Sequence, residues 1–338
     1  YCGEWIESHV LHMFMLHLPD FLGYESAITM AADHGDVVKR ALRIKKLGNE
    51  ILSSVGGRAV HPVGVCVGGF HRGLETGRAK ELLPEVHACL DDMCELTLFL
   101  AEHLDYPDLD RDYEYLSLCP DDGYPMNDGR IKSNQGVDVD QEDYLEVIEE
   151  LHVEHSNALH ARIRGRGNYM VGPIARLNLN VDRLHPRAAE LLPKVCDFVG
   201  KQLPWKNNFL SLPARGLETV HALAWVADFL EGYEKPQQTR IEITPRAGLG
   251  GHGTEAPRGI CWHQYRTNED GTIADARIIP PTSQNQATIE DDLRELANRL
   301  TDVPDEEAAL RCEHLIRNYD PCISCSVHFL DFTREWKG

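Results

Sequence analysis

Apolar residues recur at helical spacing along most of the chain, while the alternating pattern of strands is confined to one stretch. The expected fold is therefore mainly α with a small antiparallel β region (α+β). Ile6, Val10, Met13 and Leu16 mark an amphipathic segment over 3–18, and a second helix is expected over 33–54, closed by Gly56-Gly57. Further helices are expected over 80–104, 140–164, 187–203, 216–233, 285–300 and 305–317. Strand signals lie between 239 and 280. Residues 240–244 alternate, and 259–266 and 272–279 flank the turn Asn268-Glu269-Asp270-Gly271, which makes a hairpin. No repeat or clear linker divides the chain, so it reads as one helix-rich domain carrying a small sheet.

At 338 residues and 42% hydrophobic, the chain has ample length for a large buried core. Lys+Arg number 34 against 54 Asp+Glu, and the formal charge of -20 repels a phosphate backbone unless a basic patch is segregated. The best candidate patch, Arg162-Ile163-Arg164-Gly165-Arg166-Gly167, lacks aromatic interleaving and follows an acidic run, so it reads as a structural turn. Nucleic acid is rejected as a partner. No stretch approaches the ~18 consecutive apolar residues of a membrane span, and no charged segment leads into an apolar run at the N-terminus. The chain reads as soluble and cytoplasmic. It opens on Tyr1 with hardly any lead-in to helical periodicity, so an upstream segment is expected.

Ten cysteines are too sparse and irregular for a secreted disulfide framework, and most read as buried reduced thiols. Cys89, Cys94 and Cys312 fall in apolar helical stretches and read as core. Only Cys322 and Cys325, in Asp320-Pro321-Cys322-Ile323-Ser324-Cys325 with His328 three residues on, have the spacing and turn chemistry of a soft-metal clip. A structural zinc site needs a second pair, and no other C-x-x-C exists in the sequence. A thioredoxin-like pair should open a helix after a strand, whereas this one follows a helix. What remains is a pair of thiolates contributed to a site whose other ligands come from elsewhere.

Other patterns are weaker. Gly248-Leu249-Gly250-Gly251-His252-Gly253 matches G-x-G-x-x-G, but Pro257 and Gly259 stand where the phosphate-binding helix should run. Asp138-Val139-Asp140-Gln141-Glu142 opens like a calcium loop yet has Asp143 where glycine is required. His9-x-x-His12 and His152-x-x-His155 lack the carboxylate context of a zinc helix.

Segments spread along the chain resemble, in family order, the large subunit of [NiFe] hydrogenases. They are Ser8-His9-Val10-Leu11-His12 leading to Leu18-Pro19-Asp20-Phe21, Gly56-Gly57-Arg58 to His61-Pro62 with Gly68-Gly69, and Gly172-Pro173-Ile174-Ala175-Arg176-Leu177-Asn178. Glu255-Ala256-Pro257-Arg258-Gly259, Pro281-Thr282-Ser283-Gln284-Asn285 and the terminal clip through His328 complete the set. Their wording is most similar to the cytosolic, bidirectional NAD(P)-linked class, sometimes called sulfhydrogenases. The homologous respiratory complex I subunit shares the fold and binds quinone, but lacks the cysteine pair.

The resemblance implies a nickel–iron centre whose iron carries carbon monoxide and cyanide, and the reversible heterolytic cleavage of H2. The family holds nickel with thiolates from two C-x-x-C pairs. The first is absent here, which implies that it lies upstream of Tyr1. Cys322 would be a terminal nickel thiolate and the base that takes the proton, and Cys325 would bridge nickel to iron. Arg258, held after Pro257, would lie over the open metal position, with Asp320 and Asp20 orienting and charge-balancing it. Thr282 would hydrogen-bond a cyanide. His328 would help bind a nearby divalent ion such as magnesium and marks where a maturation endopeptidase cuts. The implied domains are 1–328 for the hydrogenase domain and 329–338 for a removable peptide. Implied partners are a small subunit with iron–sulfur clusters and a diaphorase pair carrying FAD and using NAD(P).

Overall fold

A computed structural model describes residues 1–156 and 158–321. Cys322, Cys325, His328 and the tail 329–338 lie outside the described residues.

The first helix, α1 (Cys2–Val10), buries Trp5, Ile6 and Val10 and runs directly into a π-helical segment, Leu11–His17, which buries Met13 and Phe14. Short helices α2 (Leu18–Leu22) and α3 (Ala27–Met30) follow, then α4 (Gly35–Gly56), ended by Gly57 in the left-handed conformation. A small hairpin of β1 (Val65–Cys66) and β2 (Gly69–Phe70) leads to α5 (Thr76–His103). Later come α7 (Pro173–Asn180), α8 (Pro186–Val199) and α9 (Ser211–Leu230). The last two helices are α10 (Pro281–Arg299) and α11 (Asp305–Asn318).

Helix α9 is the axis of the helical core. It is buried on nearly every side and packs against α1, α5, α7 and α8. A helix so enclosed is normally apolar all round, yet α9 carries Arg215, Glu218, Thr219 and His221 at no more than 3% exposure. Those polar groups must be satisfied inside the protein.

The β elements form a second core. Strands β3 (Leu116–Cys119), β4 (Arg130–Ser133) and β5 (Asp138–Val139) make one antiparallel sheet. After α6 (Tyr144–Val147), β6 (Ile148–Leu151) pairs with β7 (His160–Ile163). The third sheet has the order β10-β9-β8, with β8 (Gly248–Ala256), β9 (Gly259–Thr267) and β10 (Ile273–Ile279) all antiparallel. Leu116, Leu118, Ile131, Ile148, Ala161, Ile163, Ile260 and Trp262 meet as one buried cluster.

Helices are found where expected along most of the chain, and the hairpin over 259–279 forms around its Asn-Glu-Asp-Gly turn. The G-x-G run lies inside β8 and is followed by another strand. Two expectations fail. The long helix over 140–164 is instead a turn, the short α6 and the β6–β7 hairpin, because Ile148, Ala161 and Ile163 are claimed by the second core; burial against distant strands overrides local helical spacing. The alternation over 240–244 makes only an isolated bridge, Gly69 to Arg240, and Ile241 and Ile243 stay exposed.

Candidate metal centre

The clip is delivered by the end of α11. Tyr319 closes the helix, and Asp320 follows with φ 52, the left-handed conformation that turns the chain out of the helical path. Its N–H still reaches back to Arg317 O at 2.9 Å. Asp320 is fully buried and Pro321 is buried. A non-glycine residue held at positive φ two positions before Cys322 is the kind of backbone strain that clusters at functional sites.

Arg258 meets Asp320 there. Its Nε donates to the Asp320 carbonyl at 2.6 Å and Nη2 donates to Oδ1 at 3.1 Å. Oδ2 lies 3.0 Å from Nε but out of line with its N–H, leaving a charge contact with no hydrogen-bond partner among the described residues. Burial pushes the Asp320 carboxyl up, and Arg258 and Arg215 offset only part of that rise.

The other motifs converge on holding Arg258 still. Arg176, completely buried, donates to the carbonyls of Ala256 and Pro257, both at 2.9 Å, and so grips the chain just before Arg258. The same guanidinium donates to Glu218 Oε1 and Oε2 at 2.7 Å and to Glu255 Oε2 at 3.0 Å, and lies 4.3 Å from the Trp5 ring. On the far side, Gly172 (φ 111) and Gly259 (φ 129) bring two backbones together. A Cβ at Gly172 would meet Arg258 O at 2.9 Å, and one at Gly259 would meet Val171 Cγ2 at 2.4 Å. Asn285 accepts from Val171 N at 2.9 Å and donates to Val171 O at 3.1 Å, while Gln284 donates to Ile260 O at 2.6 Å. The Gly172-Pro173, Glu255 to Gly259 and Gln284-Asn285 segments therefore form one clamp.

The network splits the two carboxylates that share Arg176. Burial favours the neutral acid at both. Arg176 and His9 outweigh burial at Glu218 and take it down to about 2, whereas at Glu255 burial wins and the carboxyl is raised to about 7. His9 donates to Glu218 at 2.9 Å and is lowered to about 4 by burial. Tyr124 OH adds a bond to Glu218 Oε1 at 2.8 Å.

Asp320 and Arg258 are thus brought together. Asp20 is paired with Arg317 instead, three residues before Asp320 on the other side of the turn. Thr282 sits half-buried in the first turn of α10. Arg215 is the residue that sequence reasoning passed over. Completely buried on α9, it donates to Ser211 Oγ at 2.9 Å, while its Nε has no partner among the described residues. Burial, eased mainly by Asp320 and Glu218, lowers it to about 10. The signal available was a charged pair, Arg215 and Glu218, one turn apart in a stretch otherwise rich in apolar residues.

An anionic thiolate metal group fits these surroundings. Two cationic side chains, Arg258 and Arg215, act on the single carboxylate of Asp320 at the point where the chain enters the cysteine pair, and Arg215 lacks a carboxylate hydrogen bond among the described residues. Buried charge of one sign calls for the opposite sign nearby, and cysteine thiolates bound to a soft metal supply it.

Comparisons with known proteins show the family. The family model described as nickel-dependent hydrogenase matches residues 146–328. The chain is 35% identical over 332 residues to sulfhydrogenase 1 subunit alpha of Pyrococcus furiosus, covering 97% of this chain and 76% of that protein. It is 26% identical over 366 residues to the NAD-reducing hydrogenase HoxS subunit beta of Cupriavidus necator, covering 97% and 74%. Among solved structures, an NAD+-reducing [NiFe]-hydrogenase in the H2-reduced state superposes with a TM-score of 0.76 at 24% identity, covering 97% of this chain and 78% of that one. The mainly α architecture with small antiparallel sheets is therefore the fold of [NiFe] hydrogenase large subunits, and the chain belongs to the nickel-dependent hydrogenase family.

Proposed function

We propose that this chain is the catalytic subunit of a [NiFe] hydrogenase that cleaves H2 reversibly and heterolytically, in a cytoplasmic, NAD(P)-linked assembly. The observation that carries the reading is the pairing of the partly exposed Arg258 with the buried Asp320, set against Arg215 at the threshold of Cys322-Ile323-Ser324-Cys325.

When bound, the nickel–iron group supplies the electron-accepting half of the H–H cleavage. Cys322 and Cys325 are the residues of this chain that would hold it. The Cys322 thiolate is the assigned proton acceptor. Arg258 supplies a fixed positive charge and donor fork beside the site; Asp320, itself held by the turn, sets its direction, and Arg176 with the Gly172–Gly259 contact sets its backbone. Pro257, which holds Arg258, and Thr282, which would hydrogen-bond a cyanide, are assigned to cofactor binding. Asp20 is assigned a supporting part, acting through Arg317, with which it is paired. His328 is assigned to a magnesium-class ion and to the cleavage boundary of a maturation endopeptidase, with 329–338 as the removed peptide.

Electrons from H2 must leave the centre, and this chain has no further C-x-x-C pair for a cluster. An iron–sulfur small subunit is the inferred acceptor, with FAD-containing diaphorase subunits beyond it. Nickel and iron measured in the complete assembly test the reading. Both metals are expected, with nickel lost in Cys322→Ser together with H2-dependent dye reduction. An assembly with neither metal, in which Cys322→Ser keeps that activity, would falsify it.

A further inference from the structure

A second cluster of ligating groups lies where the π-helical segment meets α11. His17, Asp20 and His314 each offer one ligand atom, and these atoms lie within 4.8 Å of one another. Both ring nitrogens of the fully buried His17, and Nε2 of His314, have no hydrogen-bond partner among the described residues. Buried imidazole nitrogens left without partners are costly unless something occupies them.

The π-helical turn makes the cluster. In an α-helix, residues five apart diverge by roughly 140°. Here the i to i+5 winding brings His12 and His17 to ring centroids 5.2 Å apart and turns His17 inward, edge-on to His314 at 4.8 Å. Phe21 and Phe209, with ring centroids 4.3 and 5.1 Å from His314, wall the site with apolar surface. Asp20, with its side chain 22% exposed, provides the open side.

We propose that His17, Asp20 and His314 bind a late first-row divalent cation of the zinc(II) class. Imidazoles with one carboxylate are a donor set suited to that class. Ligand atoms about 2.0–2.1 Å from a tetrahedral zinc lie roughly 3.4 Å apart, so the side chains must close by about 1.4 Å at most. Arg317 already holds the Asp20 carboxylate and is itself 3.6 Å from Glu313, and His12 Nε2 donates to Arg317 O at 2.7 Å. Such outer contacts orient a ligating carboxylate. Burial also lowers His17 well below the usual histidine range and His314 to about 4, so both rings are neutral and ready to ligate. Neither histidine is among the residues assigned to the nickel–iron group or to the ion at His328, and the site stands whether or not the chain turns over H2.

The test uses the complete assembly. Crystals grown with zinc chloride are measured above and below the zinc absorption edge, and zinc per chain is counted by mass spectrometry in wild type, His17→Gln and His314→Gln after gel filtration. The expected result is an anomalous peak between the three side chains, with one equivalent of zinc lost in each variant. The wild-type diffraction does not depend on either variant folding. No peak at this place, or equal zinc in wild type and in variants that retain the wild-type melting temperature, overturns the proposal.

Discussion

Arg258 is defined by what surrounds it. Its planar fork reaches both the carbonyl and the carboxylate of Asp320, a bidentate arrangement a lysine ammonium cannot reproduce. Arg258→Lys is expected to keep the melting temperature within a degree or two while lowering H2-dependent dye reduction by about 100-fold, the cost of misplacing one preorganised electrostatic donor; activity near wild type would remove Arg258 from the site. Glu255 makes the second prediction at this scale. Its carboxyl rises from an unfolded value of 4.5 to about 7 in the fold. Folding therefore takes up a proton between those values, and the stabilisation is complete below pH 4.5 and lost as pH rises through about 7. Glu218 has the opposite sign, since its folded value of about 2 gives stabilisation above pH 4.5 that is lost on acidification. Thermal melts of the assembly between pH 5 and 8 should show a decline that Glu255→Gln flattens, at a lower baseline because the amide offers one acceptor fewer for Leu118 N and Arg176. An unchanged slope in the variant would assign the decline to other groups.

The fold depends on close approach between elements. Helix α1 crosses α4 at Gly48, where a Cβ would meet Glu7 N at 2.7 Å and Gly3 O at 2.9 Å. Because the obstacles are backbone atoms, they cannot rotate away. Gly48→Ala is expected to destabilise by about 1–3 kcal/mol, the usual cost of overpacking, read from chemical denaturation; a neutral result would mean the helices slide apart freely. The π-helical turn follows directly on α1, and both histidine pairs seen in the sequence resolve at this scale. His9 and His12 serve different partners, Glu218 and Arg317 O, and His155 pairs with Glu290 outside any helix.

Across the molecule, a formal charge of -20 coexists with an apolar face. Val63, Val65, Val67, Phe70, Ile241 and Ile243 are all exposed, and backbone bonds from Phe70 N to Thr239 O and from Ile241 N to Gly68 O hold the two stretches together. A patch of this kind marks an interaction surface, and the iron–sulfur subunit is the partner proposed for it. Val67→Asp with Ile241→Asp should abolish co-purification of that subunit and leave the helical far-ultraviolet signal intact; retained co-purification would place the interface elsewhere. Among the described residues no helix is long and apolar enough to cross a membrane.

Much of this was legible from residue order alone. Helical spacing, the Asn-Glu-Asp-Gly turn and the motif set are local, and local patterns report helices, a hairpin and a family without any knowledge of packing. The sequence by itself determined that the chain is mainly α, that Pro257-Arg258 and Asp320-Pro321 are the segments to watch, and that Cys322 and Cys325 form its single C-x-x-C. Tertiary structure alone decided that 140–164 is not one long helix, that Arg176 grips the backbone before Arg258 and that Asp20 faces Arg317 while Asp320 faces Arg258. It also turned His17 inward beside His314. The physical reason is range: propensity and periodicity act over a few residues, whereas desolvation and charge pairing act between groups such as Arg258 and Asp320 or Arg176 and Glu218, whose meeting only the folded chain arranges.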